Sequence, residues 1–227
     1  EPGGRPVKVG VPVADLTCAL FSVYGILSAL LVRERTGQGQ EVESNLLESA
    51  LALAIWETSG YFVTGEVPGP LGSAHRTNAP YQAIGTADGA ITIGASTPNT
   101  WTGLCAVLGR PELTTDERFS DNPRRKANER ELIEVIEAIT VAHPSAYWLE
   151  RLEEAGVPCG RLNTIATVVE DPHIIERGFI VDVEHPRAGR TRATGFPVRL
   201  TETPAGLRRP AHVLGQHTDE ILTEWGY

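Results

Sequence analysis

The stretch Val11-Pro12-Val13-Ala14-Asp15-Leu16-Thr17 begins a long apolar run, and residues 16–32 contain no charged side chain. The large apolar residues of this run recur at helical spacing, which predicts a helix with Asp15 as its N-cap. A run of this length lies at the lower edge of a membrane span. Because Asp15 precedes it and Arg33-Glu34-Arg35 follows it, we interpret it as an interior helix packed on several sides and expect no membrane span.

The composition is ordinary for a folded protein. The chain has 227 residues, of which 41% are hydrophobic and 22% are charged, and these proportions argue against disorder and fibres. A formal net charge of -9 makes nucleic acid an unfavourable partner, because phosphate backbones repel an acidic surface. The three cysteines form no CxxC motif, which predicts reduced thiols and a cytoplasmic location. The chain starts at Glu1 and contains no methionine, so we expect that residues have been removed from its front.

The first part of the chain shows the pattern of a helix, a strand and a second helix. Residues 1–12 are rich in glycine and proline and indicate an extended linker. After the first helix, which ends in the loop 35–40, Glu41-Val42-Glu43-Ser44 predicts a short strand. Asn45 followed by Glu48 is typical of a capping box that starts the next helix. This order predicts one side of an α/β layer.

A long polar loop begins near residue 65 and contains Gly72, His75 and Arg76. Asp88-Gly89 between alternating apolar residues then predicts a hairpin over 81–95. Helical spacing and capping residues predict further helices at 101–108, 128–139 and 144–155, extended segments at 157–165 and 180–184, a connector at 194–210, and a last helix that opens at Thr218.

Several common signatures of chemistry are absent from the sequence. Gly37-Gln38-Gly39 lacks the third glycine of a dinucleotide-binding fingerprint and follows a helix. There is no phosphate-binding loop and no GxSxG elbow. The six histidines show no zinc-ligand spacing, so we expect no metal site. We interpret the basic cluster Arg124-Arg125-Lys126 as a solvated helix start and the four tryptophans as core residues.

Asp15 has two interpretations. Aspartate is favoured as an N-cap because its carboxylate accepts hydrogen bonds from the free N–H groups of the first turn. Its neighbours are apolar on both sides, however, so we expect a half-buried carboxylate that the helix dipole keeps ionised. A fixed, poorly solvated carboxylate can attack an activated acyl group. The dipole weakens this nucleophile and desolvation strengthens it, so the residue type alone leaves both roles open.

An ordered set of motifs covers nearly the whole chain. It comprises Val11-Pro12-Val13-Ala14-Asp15-Leu16-Thr17, Tyr24-Gly25-Ile26-Leu27-Ser28-Ala29-Leu30, Arg35-Thr36-Gly37-Gln38-Gly39-Gln40, Ala79-Pro80-Tyr81, Asp88-Gly89, Ala155-Gly156-Val157-Pro158, Asp171-Pro172 and Leu214-Gly215-Gln216-His217-Thr218-Asp219-Glu220-Ile221-Leu222. Each motif alone is weak. Their order resembles the C-terminal portion of the class III coenzyme A transferases, the CaiB/BaiF-like group that includes formyl-CoA and carnitine-CoA transferases.

The resemblance implies an α/β fold of which this chain holds a part, namely a remnant of a large dinucleotide-fold domain plus a smaller α+β domain. It assigns residues 1–72 to the large domain with the catalytic helix, residues 73–193 to the small α+β domain, and residues 194–227 to a connector and a C-terminal helix that returns to the large domain. It also implies an interlocked homodimer in the full-length parent. Because the upstream half supplies much of the coenzyme A site in that family, we expect the isolated chain to be inactive.

The resemblance further implies that Asp15 attacks an acyl-CoA thioester and that CoA passes through an aspartyl-CoA intermediate to a carboxylic acid acceptor. Coenzyme A then enters as a thioester substrate, and no bound cofactor is expected. Gly72, His75 and Arg76 fall where the family has a substrate-covering loop. Arg76 is a candidate partner for the second carboxylate of a dicarboxylic acid, and a solvated loop cation is the alternative.

Two other functions stay open. The α-methylacyl-CoA racemases are similar in fold and use an aspartate at this helix start as an acid/base, paired with a histidine that would lie outside this chain. Trapping of an aspartyl-CoA adduct by hydroxylamine would separate a transferase from a racemase. The third possibility is a non-catalytic fragment or association module.

Overall fold

The computed structural model describes residues 3–227 and shows a chain of mixed helix and sheet. Residues 1 and 2 of the predicted linker lie outside the described residues, and residues 3–12 form neither helix nor strand. The chain consists of two compact units, one that ends at Cys159 and one that runs Gly160–Tyr227. The domain boundaries expected at residues 72 and 193 stay a prediction.

Helix α1 spans Val13–Thr36 and begins earlier than predicted. Pro12 is its N-cap, and the Pro12 carbonyl accepts the Leu16 N–H at 3.0 Å. Proline suits the start of a helix because its φ is already fixed and it lacks the N–H that would be unpaired there. The prediction that Asp15 is the N-cap is therefore wrong: Asp15 lies in the first turn, and α1 has no side-chain cap hydrogen bond at this end. The helix ends at Gly37, whose φ of 74° is typical of a left-handed C-cap.

The apolar surface of α1 is mostly exposed. Thr17 is buried, whereas Leu20 is 68% exposed and Leu27 is 60% exposed. The prediction of an interior helix packed on several sides is therefore wrong for the described residues, because the next helix covers one side of α1 and leaves most of it open. By length and composition α1 could also cross a membrane, a test that the core helices of soluble proteins pass as well.

The segment after α1 packs back against it without forming the strand predicted at 41–44. A strand needs a hydrogen-bonded partner strand, and none lies beside this segment in the described part of the chain. Side chains hold it instead. The hydroxyls of Ser22 and Ser44 lie 2.6 Å apart, and a Cβ at Gly25 would approach the Val42 side chain to 3.0 Å. Glycine at position 25 thus permits the close approach of the two segments.

Two helices follow, α2 (Leu46–Leu53) and α3 (Ile55–Thr64), with a break at Ala54. The predicted cap at Asn45 is confirmed, because its side-chain oxygen accepts the Glu48 N–H at 2.8 Å.

The predicted hairpin is confirmed and forms the centre of the first unit. Strands β1 (Tyr81–Thr86) and β2 (Gly89–Gly94) are antiparallel, with Thr86 opposite Gly89, and the short β3 (Cys159–Arg161) lies beside β2. Helices α4 (Pro98–Val107), α5 (Asn122–Ala127), α6 (Glu129–Thr140) and α7 (Ser145–Glu154) and a 3₁₀ turn (Pro111–Thr114) complete this unit. They share one apolar core, which includes Ile84, Ile91, Ile93, Trp101, Leu104, Phe119, Leu132, Ile136, Trp148 and Leu152.

The second unit contains a hairpin and short helices. Its elements are α8 (Ile165–Val168), α9 (Pro172–Glu176), β4 (Ile180–His185), β5 (Gly189–Thr194) and α10 (Thr218–Glu224). The extended segment predicted at 180–184 and the last helix from Thr218 are confirmed.

Two of the four tryptophans lie in the core and two do not. Trp101 and Trp148 are buried, and Trp148 Nε1 donates to the Thr140 carbonyl at 2.7 Å. Trp56 is 70% exposed and Trp225 is 78% exposed. The prediction of four core tryptophans is wrong for these two, because α3 and α10 have no buried residues in the described chain.

Arg125 lies within α5 and is buried, with 2% of its surface exposed. Its guanidinium donates to the carbonyl oxygens of Ala79 (2.8 Å), Ser96 (2.7 Å) and Phe119 (3.1 Å). The prediction that Arg124-Arg125-Lys126 is a solvated basic cluster is therefore wrong for Arg125. A buried cation is tolerated only where its donors find acceptors, and here three separate segments of the chain supply them.

Arg125→Met is expected to lower the free energy of unfolding by about 3 kcal/mol, because three buried carbonyl groups lose their donor. Urea unfolding of the whole chain, followed by circular dichroism, measures the change. Arg124→Met is the matched control. Arg124 is exposed and pairs with Asp121 at 3.6 Å, so its loss should cost less than about 1 kcal/mol. Equal effects of the two substitutions would contradict the role of Arg125.

One carboxylate oxygen ties the hairpin turn to α7. Asp88 Oδ1 accepts hydrogen bonds from the Ser145 backbone N–H (2.7 Å), the Ser145 hydroxyl (2.8 Å) and the Thr86 hydroxyl (3.1 Å). The backbone bond from Ser145 is the largest of the effects that hold the pKa of Asp88 below its ordinary value of 3.8. The ionised form of Asp88 therefore joins the turn to the first residue of α7.

Asp88→Asn is expected to lower the free energy of unfolding at neutral pH. In acid the substitution should have little effect. A carboxyl group with a lowered folded-state pKa stabilises the fold above its ordinary pKa, and the contribution disappears as the pH falls through the folded-state value. The difference in urea midpoint between the parent and the variant should therefore shrink below about pH 4. Glu117→Gln, at an exposed carboxylate, is the control. A difference for Asp88→Asn that is the same in neutral and acidic buffer would show that the carboxylate charge is not responsible.

Candidate functional site

Asp15 lines a groove of about 520 Å³ at the start of α1. The groove wall is mostly apolar. It comes from the segment before α1, from the first residue of α1, and from α2 with the residue after it: Val9, Val11, Pro12, Val13, Ala50, Leu53 and Ala54. Lys8 and Glu57 are charged neighbours in the same groove. The geometry thus places one carboxylate beside an apolar wall.

The Asp15 side chain is more exposed than predicted. It lies at the surface rather than half-buried, because it stands in the first turn of a helix whose apolar surface is largely uncovered. Within residues 3–227 no hydrogen bond or ion pair engages its carboxylate oxygens. An unpaired carboxylate in this position can act as a nucleophile toward an acyl group.

Glu57 connects this groove with a second cavity. It lies in the first turn of α3 and lines both the Asp15 groove and a cavity of about 540 Å³ that includes Trp56, His75 and Arg76. Its carboxylate oxygen Oε1 lies 3.4 Å from Arg76 Nε. Sequence reasoning did not find Glu57. Its only local signal is an acidic residue in a first turn, which is common in helices.

The structure brings two of the three predicted loop residues together. His75 and Arg76 line the same cavity, whereas Gly72 lies outside its lining and has a φ of 63°. A positive φ favours glycine, so Gly72 shapes the loop backbone, and its predicted substrate contact stays a prediction.

His75 is held by backbone groups and by two aromatic rings. Its Nδ1 accepts the N–H groups of Thr77 (3.1 Å) and Asn78 (3.2 Å). The ring stacks on Tyr81 with centroids 5.1 Å apart and meets Trp56 edge-on at 5.9 Å. Because Nδ1 acts as an acceptor, the neutral ring carries its proton on Nε2.

Helix α5 fixes the loop that carries these side chains. Lys126 Nζ donates to the His75 carbonyl at 2.6 Å. Asn122 Oδ1 accepts the Ala79 N–H at 3.0 Å, and its Nδ2 donates to the Thr77 carbonyl at 2.9 Å. The loop therefore has a defined position although it contains no regular element.

The second unit contains a pair of histidines beside a carboxylate. His217 Nε2 lies 3.2 Å from His212 Nδ1, and His217 Nδ1 lies 2.7 Å from Glu220, which lowers the pKa of that carboxyl. Among residues 3–227, no group of three histidine, cysteine, aspartate or glutamate side chains could hold a metal ion.

Comparison with known proteins decides the family. A model of "CoA-transferase family III" matches residues 1–218. The chain belongs to CoA-transferase family III. A solved CaiB/BaiF family protein from Brucella suis is 32% identical and covers 99% of this chain and 58% of its own, with a TM-score of 0.82. The predicted family and the predicted fold, a part of the class III CoA-transferase fold, are confirmed.

Curated relatives in family III carry names of CoA-transferases. The succinyl-CoA:glutarate CoA-transferase of Mus musculus is 33% identical over 97% of this chain and 51% of its own length. The succinyl-CoA–D-citramalate CoA-transferase of Chloroflexus aurantiacus is 35% identical over 98% of this chain and 56% of its own length. The chain thus spans about half the length of the curated relatives it matches. The relatives support CoA transfer as the general reaction.

Proposed function

We propose that this family III protein transfers coenzyme A from an acyl-CoA thioester to a carboxylic acid and that Asp15 is its nucleophile. The observation that carries the proposal is the Asp15 carboxylate, which has no partner within residues 3–227 and stands at the N-terminus of α1 beside an apolar wall. The names of the two transferase relatives support the reaction class.

A carboxylate suits this reaction because it has the same reactive group as the two acids that exchange CoA. An oxygen of Asp15 attacks the thioester carbonyl carbon, the carbon–sulfur bond breaks, and CoA leaves as a thiolate. The acyl group and Asp15 are then joined as a mixed anhydride. The thiolate attacks the carbonyl carbon of Asp15, expels the donor acid as a carboxylate and forms an aspartyl-CoA thioester. No proton is gained or lost in these steps.

The acceptor acid runs the same steps in reverse. Its carboxylate attacks the aspartyl thioester, the thiolate leaves again, and a second mixed anhydride forms. The thiolate then attacks the acceptor carbonyl carbon and releases Asp15 as a carboxylate. Because one thioester replaces another, the overall exchange is close to thermoneutral.

We further propose that the acids are dicarboxylic. Succinate, glutarate and citramalate, which occur in the names of the two relatives, each carry a second carboxylate. The homodimer and the cytoplasmic location implied by the family resemblance stay predictions.

A racemase would pair Asp15 with a histidine that lies outside this chain, so the lining of the Asp15 groove does not separate the two reactions. The names of the two relatives favour the transferase. The following experiment distinguishes the two reactions.

Asp15→Ala in the full-length protein is expected to lower kcat for CoA transfer by about 10³-fold or more, because the covalent route is lost. The rate is measured with succinyl-CoA and glutarate by chromatography of the two thioesters. The unsubstituted protein, incubated with succinyl-CoA and then treated with hydroxylamine, should carry a hydroxamate at Asp15 that peptide mass spectrometry detects.

Glu48→Gln provides the matched control for this substitution. Glu48 is an exposed carboxylate in the first turn of α2, so its replacement should leave the transfer rate unchanged. Transfer that persists in Asp15→Ala would overturn the proposal. Exchange of the substrate α-proton with deuterated water, without any hydroxamate, would identify a racemase instead.

A further inference from the structure

Arg76 has donors that the chain leaves unused. Its Nε contacts Glu57 Oε1 at 3.4 Å, and within residues 3–227 no hydrogen bond engages Nη1 or Nη2. The side chain is 34% exposed and thus partly withdrawn from water. A guanidinium binds a carboxylate best through two parallel N–H groups. The edge formed by Nη1 and Nη2 is the one that Glu57 leaves available for such a pair.

His75 supplies a second unused donor to the same cavity. Its Nδ1 is occupied by two backbone N–H groups, so the neutral ring presents an N–H at Nε2. In the described part of the chain, no hydrogen bond engages that Nε2. The ring contacts with Tyr81 and Trp56 limit its rotation. Arg76 and His75 therefore offer preorganised donors to an anionic group.

The rest of the cavity suits a short carbon chain. Trp56, Gly60, Leu71 and Ala74 contribute to its lining, and its volume of about 540 Å³ is that of a small-molecule site. Glu57 belongs to both this cavity and the Asp15 groove. The two cavities are therefore adjacent, with Asp15 in one and the unused donors of Arg76 and His75 in the other.

We propose that Arg76 recognises the distal carboxylate of a dicarboxylic acid, while Glu57 orients the guanidinium through Nε. Arg76 is then a specificity-determining residue and Glu57 is a positioning residue. This inference rests on the proposed function, because it assigns the second carboxylate of the acid whose first carboxylate exchanges CoA at Asp15. An acid without a second carboxylate leaves the paired donors of Arg76 empty, and a site built for a charged partner discriminates against it.

The test compares glutarate with its monomethyl ester, which is similar in length and lacks the second charge. In a ping-pong exchange the kcat/KM of an acceptor does not depend on the donor, so both acids are measured with one acyl-CoA in the full-length protein. The preference for glutarate is the ratio of its kcat/KM to that of the ester. Arg76→Leu should lower this ratio by at least about tenfold, because the kcat/KM of glutarate falls while that of the ester stays the same. Arg76→Lys should restore part of it, because lysine keeps the charge but not the paired donors.

Two further variants sharpen the result. Glu57→Gln keeps an acceptor for Nε and should reduce the preference less than Arg76→Leu does. Arg124→Leu is the control, since Arg124 is an exposed, ion-paired arginine outside the cavity, and both acids should react unchanged. An unchanged preference in Arg76→Leu, or equal losses for glutarate and its ester in both Arg76 variants, would overturn the inference.

Failure of the proposed function would look different. If Asp15 is not the nucleophile, Asp15→Ala retains turnover. If Arg76 does not read the distal carboxylate, Asp15→Ala abolishes turnover while Arg76→Leu leaves the preference unchanged. Titration calorimetry with glutaryl-CoA, the form that the free enzyme binds, gives a readout that needs no turnover when Asp15 is replaced by alanine. Adding Arg76→Leu to Asp15→Ala should weaken the binding of glutaryl-CoA, and unchanged binding would count against the role of Arg76.

Discussion

The buried guanidinium of Arg125 is the interaction on which the candidate site most depends. It donates to the carbonyl groups of Ala79, Ser96 and Phe119. It thereby holds together the end of the loop that carries His75 and Arg76 (the site loop), the residues after β2 and the residues before α5. The next residue, Lys126, binds the carbonyl of a loop residue. A loop exposes backbone groups that need partners. Because two cations of α5 and the Asn122 side chain satisfy several of them, the loop keeps one position.

The elements that could be predicted from the sequence are those whose cause is local. Asn45 with Glu48 caps a helix and Asp88-Gly89 turns a hairpin, because each effect involves only adjacent residues. Residues 41–44 show the limit of such reasoning, since alternation favours a strand but a strand forms only beside a partner. Arg125 shows another limit. Its neighbours indicate a solvated basic cluster, whereas its burial depends on carbonyl groups that come from distant parts of the chain.

Some residues of the candidate site could likewise be predicted from the sequence, and others could not. Asp15 could be proposed from its place in an ordered set of motifs, and its position at the start of a helix follows from the apolar run after it. The exposure of the Asp15 side chain could not be predicted, because it depends on which other elements cover α1. Glu57 could not be predicted as a site residue from the sequence, since its role depends on its ion pair with Arg76, which lies on a separate loop. Pairings of this kind follow from the fold rather than from spacing along the chain.

The position of Trp56 gives the site loop an optical signal. Its indole is 70% exposed, meets His75 edge-on at 5.9 Å and lines the same cavity as Arg76. Trp101 and Trp148 are enclosed in the core, so their emission is insensitive to solutes in water. An anion that displaces water beside Trp56 changes the polarity around that indole. Trp225 is also exposed and lies outside this cavity, so it has to be replaced by phenylalanine first. The emission wavelength of the intrinsic fluorescence then reports whether the cavity is filled, without a label and without turnover.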